Sequence, residues 1–134
     1  MTQAVNQLEM SCEKPERGIT LKRYGDHLQL ATKAEYAPYV ERLLQPVQKQ
    51  SLSQAAMETL AVIAYRQPTT KGEVELVRGV KCDYSVQSLL AKGLIKEVGR
   101  KEALGRPILY ATTDRFLEHF GISDVRELPP LPEP

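Results

Sequence analysis

The stretch Val98–Thr113, "VGRKEALGRPILYATT", decides how the rest of the chain is read. A short apolar run ends at Val98, Gly99 and Gly105 bracket a polar loop, and Ile108 to Thr112 resumes with strand-forming residues. That pattern predicts a β-hairpin. Its loop is basic, with Arg100, Lys101 and Arg106, and Lys96 on the approach, against Glu97 and Glu102. A local excess of this size can hold a phosphate without reading sequence, can meet another protein, or can simply stay solvated.

Working outward, "SLSQAAMETLAVIAYRQ" places Leu52, Ala56, Leu60 and Ile63 or Ala64 at three- and four-residue spacing, which predicts a helix with one apolar face. Ser51 or Ser53 can cap its start, and Pro68 ends it. Thr70-Lys71-Gly72-Glu73 has the spacing of a reciprocal cap for a short second helix, with Val74 and Val77 inward and Gly79 as its stop. A third helix is expected from about Asp83, with that aspartate as N-cap, to Gly93. After the hairpin, Thr113 caps a fourth helix, "DRFLEHF", closed by Gly121. Helix, helix, helix, hairpin, helix over 51–121 is the order of a winged helix, with Val98–Thr113 as its wing.

Residues 1–50 hold part of a similar unit. "TQAVNQLEMSCE" predicts a helix, and "GITLKRYGDHLQLAT" alternates around a Tyr24-Gly25-Asp26 turn as a hairpin. "KAEYAPYVERLLQP" adds a linking helix, with Tyr36, Tyr39, Val40, Leu43 and Leu44 as candidates for its buried side. Helix, hairpin, helix is the back half of a winged helix, and such a fragment cannot close a core alone. The tail 122–134 ends "LPPLPEP", which cannot continue a helix. It is either a polyproline-like loose end or a docked segment anchored by Leu128 and Leu131. The expected class is therefore α+β, mainly helical, a tandem winged helix with the first copy incomplete and the second complete.

Composition excludes several function classes. The 134 residues carry 18 Lys and Arg against 17 Asp and Glu, so no long-range field draws the chain to phosphate. Cys12 and Cys82 are isolated thiols, and with only His27 and His119 beside them no metal or cofactor constellation is expected. Cys82 has no histidine near it in sequence, His119 suits a helix C-terminus, and "GRKEALGR" lacks the Lys-Ser/Thr of a phosphate-binding loop. No enzyme is expected. No apolar run is long enough to span a membrane and no signal-peptide pattern is found, so a cytoplasmic protein is expected.

The third helix offers Asp83, Tyr84, Ser85, Gln87, Ser88 and Lys92 where a DNA-reading helix presents Arg, Lys, Asn or Gln to base edges. Only Gln87 fits, and an ordinary polar face is the better reading. A DNA-binding winged-helix regulator remains the alternative. It rests on phosphate contact through Arg100, Lys101 and Arg106.

"ETLAVIAYRQP", "RGV", "GLI", "VGRK", "GRPILYATT" and "FLEHFG", in that order, resemble the second winged helix of segregation and condensation protein B, ScpB. "LATKAEYAPYVERLL" resembles the link between that family's two winged helices. The resemblance implies a non-enzymatic subunit of the bacterial condensin, a dimer that binds the kleisin ScpA and, through it, SMC at the nucleoid. It also implies winged helices used largely for protein contact. The chain departs from the pattern in lacking the first two helices of the first winged helix, on which family dimers lean, so homodimerisation through that domain is an open point. Large side chains at turns are the candidates for kleisin contact: Tyr65, Arg66, Gln67, Arg78, Arg106 and Tyr110. For Tyr65 and Tyr110 a place in the core is the competing reading.

Overall fold

The computed structural model describes residues 2–43 and 51–132 and groups the chain into two compact units, 1–50 and 51–134. Helix and sheet are mixed in both.

In the first unit, α1 (Thr2–Cys12) precedes an antiparallel hairpin of β1 (Ile19–Tyr24) and β2 (His27–Thr32), in register from Ile19 opposite Thr32 to Tyr24 opposite His27. A 3-10 turn, Ala34–Tyr36, leads into α2 (Ala37–Leu43). Arg23 ties β1 to α1, donating from Nε and Nη2 to Glu9 at 3.1 and 2.7 Å and from Nη2 to Asn6 at 2.8 Å. Among the described residues of this unit only Cys12, Leu21 and Tyr24 are buried. The expected apolar side of the linking helix is only partly covered: Tyr39 is 67% exposed, Leu43 is exposed, and Tyr36 and Val40 are half-buried. Leu44 lies outside the described residues.

The second unit runs α3 (Gln54–Arg66), β3 (Thr69–Thr70), α4 (Lys71–Arg78), α5 (Asp83–Ala91), β4 (Ile95–Arg100), β5 (Ile108–Thr112), α6 (Asp114–Phe120) and a 3-10 turn, Val125–Glu127. Its sheet has the order β3-β5-β4. Ala56, Leu60, Ile63 and Ala64 of α3 pack inward with Val74, Val86, Leu89, Leu94, Ile95 and Phe116. Local chemistry sets the ends. Ser53 Oγ accepts from the Ala56 amide at 3.1 Å, leaving Leu52 ahead of the helix rather than on its face. The reciprocal cap at Thr70 forms as expected, the Glu73 amide donating to Thr70 Oγ1 at 3.2 Å and the Thr70 amide to Glu73 Oε2 at 2.9 Å. Gly79 closes α4 at φ 75°, a left-handed conformation costly to a side chain with a Cβ.

Two further expectations are corrected. Val77 points largely to solvent, because the inward position one turn beyond Val74 is taken by Arg78. Asp83 does not cap α5: Cys82 occupies that position, and the aspartate pairs with Lys71.

Candidate partner-binding surface

The end of α3 carries three of the residues singled out for partner contact, and the fold uses them differently. Gln67 turns inward. Its Nε2 donates to the Ala64 carbonyl at 3.1 Å, while its Oε1 accepts from the Thr112 amide at 2.9 Å and the Thr112 hydroxyl at 3.0 Å. This side chain fastens α3 to the end of β5. Arg66 is exposed, and Tyr65 is part-exposed with its hydroxyl donating to the Pro129 carbonyl at 2.6 Å.

Arg78 also faces inward, with its side chain only 10% exposed. Nη2 donates to Glu58 Oε2 at 2.8 Å and Nη1 to Thr59 Oγ1 at 3.2 Å, so it bolts α4 to α3, although its buried Nε has no partner. The outward face of this corner is apolar instead. Leu76 is 85% exposed and Tyr84 83% exposed, with Val77 and Val80 part-exposed between them. Sequence reading missed this corner; its signal was the apolar Leu76, Val77 and Val80 clustered around the Gly79 stop. Charge beside it is balanced, by Lys71 with Asp83 and by Lys81 with Glu75 at 3.7 Å. Of the polar residues expected to face outward on α5, Ser85 is buried and Ser88 half-buried, which leaves Gln87 exposed.

The hairpin carries the remaining candidates. Val98 is the extra residue of a bulge between Glu97 and Gly99, and Gly99 sits at φ 150°. Its basic residues are largely engaged. Lys101 pairs with Glu73, Arg100 Nη1 donates to the Arg106 carbonyl at 2.9 Å, and Arg106 lies 3.5 Å from Glu102. The Lys101 ammonium, the Thr70 amide and the Thr69 hydroxyl together hold the Glu73 carboxyl down to about 2. Tyr110 lies in the core at 8% exposure, opposite Glu97 and Thr69, and burial pushes its hydroxyl upward. Arg66, Arg100, Lys101 and Arg106 are thus the exposed residues of the expected set, with Tyr65 half available.

Among the described residues no three His, Cys, Asp or Glu side chains converge to hold a metal, and Cys82 is buried with its thiol pushed up by desolvation. No helix among the described residues is long and apolar enough to cross a membrane.

Comparison with known proteins places the chain. It is 54% identical over 129 residues to segregation and condensation protein B of Geobacillus kaustophilus, covering 96% of this chain and 59% of the relative. It is 53% identical over 127 residues to that of Carboxydothermus hydrogenoformans, covering 95% and 68%. The chain thus spans about 59% of the length of the first of these. The crystal structure of ScpB from Mycobacterium tuberculosis superposes with a TM-score of 0.52 at 40% identity, over 90% of this chain and 75% of that one. A conserved hypothetical protein from Chlorobium tepidum gives 0.51 at 40% identity over the same shares. The family model described as segregation and condensation complex subunit ScpB matches residues 1–131, and the chain belongs to that family.

Proposed function

We propose that residues 51–121 are a complete winged helix and 1–50 a partial one, with 122–134 as a tail, and that the chain acts as a non-catalytic subunit of a bacterial SMC–kleisin condensin. In this reading it binds the kleisin ScpA, and through it SMC, in the cytoplasm at the nucleoid, and supports chromosome condensation and segregation. A homodimer is part of the same reading.

The observation that carries it is the character of the face a DNA-binding winged helix would turn to the duplex. At α4–α5 that face presents Leu76, Val80 and Tyr84, and its lysines are paired with carboxylates. Apolar side chains ringed by balanced charge suit a protein surface, since burying them stabilises by about 25 cal/mol per Å². They offer phosphate little. Arg66 and Arg106 add exposed guanidinium groups, which suit backbone carbonyls or carboxylates of the kleisin.

The deciding experiment is a calorimetric titration of the full chain against a kleisin middle-region fragment and, in parallel, against duplex DNA at near-physiological salt. Kleisin binding with negligible DNA binding is expected. Steeply salt-dependent duplex binding without kleisin binding would assign Arg100, Lys101 and Arg106 to phosphate and overturn the reading.

A further inference from the structure

The tail is held against the second unit by a specific contact. The Tyr65 hydroxyl donates to the Pro129 carbonyl at 2.6 Å, the short end of the range for an O–H···O bond. Leu128 is half-buried beside it, and the groove between is lined by Ala64, Tyr65 and Gln67 on one side and by Val125, Arg126 and residues 128–131 on the other. The 3-10 turn within the tail leads directly into residues 128–131. Asp124 caps that turn by accepting from the Arg126 amide at 2.9 Å and grips the same residue's guanidinium at 3.0 Å. Leu131 is 62% exposed, so of the two expected anchors Leu128 is the one that docks.

The bound segment has the shape of a peptide ligand. Leu128 lies at φ −61°, ψ 139°, in the polyproline region, and Pro129 and Pro130 have their φ restricted by their rings. Such a segment has little conformational entropy left to lose and offers carbonyls with no internal partner. Aromatic-rimmed grooves that donate one hydrogen bond to a proline-rich strand exploit those properties. Tyr65 supplies the ring and the donor together.

We propose that the end of α3 is a docking surface for an extended Leu-Pro-Pro strand, that Leu128–Leu131 of this chain is its resident occupant, and that the tail excludes an incoming strand of the same chemistry until it is released. Tethering gives the tail an effective concentration in the millimolar range, which sets the strength of that exclusion. The inference does not depend on the kleisin reading.

NMR on the full chain tests it. In the wild type, the backbone amides of Leu128 and Leu131 are expected to be nearly as rigid as those of α3, and Tyr65→Phe is expected to make them mobile. A synthetic peptide of the sequence 123–132 should bind a Leu128→Ser/Pro129→Gly chain at least tenfold more tightly than the wild type. It should shift the Ala64 and Gln67 amides as it does so. Mobile tail amides in the wild type would overturn the proposal, as would a tail unaffected by Tyr65→Phe or equal peptide binding to both chains. If the double variant fails to fold, the wild-type and Tyr65→Phe measurements still decide.

Discussion

Glu73 and Lys101, 28 residues apart in sequence, form an ion pair that ties the capping box of α4 to the hairpin loop. Folding lowers the Glu73 carboxyl from an ordinary 4.5 to about 2, so the ionised form is the one folding favours. Its contribution is therefore full above pH 4.5 and is lost as pH falls toward 2. Both partners are more than one-third exposed, so the pair itself is worth about 0.5 kcal/mol, and the cap lost with Glu73 about 1 kcal/mol more. Melting temperatures measured from pH 5 down should fall less steeply for Glu73→Gln than for wild type. Asp124, held at about 2 by Arg126, titrates in the same window in both proteins, so parallel curves would count against the assignment.

Gln67→Ala removes the hydrogen bonds that join the end of α3 to Thr112 and leaves a part-buried amide without its acceptor. The expected loss is about 1–3 kcal/mol, read from the urea midpoint with the slope unchanged. A loss below about 0.5 kcal/mol, the range of an ordinary surface substitution, would remove Gln67 from a structural role.

Arg66→Glu with Arg106→Glu should weaken kleisin binding at least tenfold while stability stays within about 1 kcal/mol of wild type, since neither side chain is buried. Calorimetry beside thermal melts separates the two effects. Unchanged affinity would remove the arginines from the interface.

Leu76→Ser and Tyr84→Ser test the apolar corner. Both side chains are more than four-fifths exposed, so each variant should stay within about 0.5 kcal/mol of wild-type stability. Their combined effect on kleisin affinity is expected to be at least about thirtyfold, because a central anchor typically contributes more than 1 kcal/mol and every 1.4 kcal/mol is tenfold. A folded double variant that binds as wild type would place the kleisin elsewhere.

What could be read from the chain alone was what short-range chemistry determines. The caps at Ser53, Thr70 and Thr113 and the stops at Gly79, Gly93 and Gly121 depend on neighbours within a few residues, and each forms. The inward Arg78 was hidden because its partners, Glu58 and Thr59, sit on another helix. An arginine beside a glycine stop reads as surface until that helix is in place. Tyr65 and Tyr110 look alike in sequence, and strand pairing separates them: β3 and β4 cover Tyr110 on either side, while Tyr65 stands at a helix end. The pairing of Lys101 was equally invisible, since Glu73 and Lys101 meet only in the fold.

The two-residue strand β3 joins more than its length suggests. Thr69 and Thr70 pair with Tyr110 and Leu109 of β5, and Thr70 is at the same time the N-cap of α4. A helix whose first turn is welded to a sheet cannot fray independently of it. The first turn of α4 is thereby held to the hairpin strand through backbone pairing as well as through its cap. A partner that touches the start of α4 and the hairpin strand meets backbone already ordered by these bonds, and loses little to ordering it.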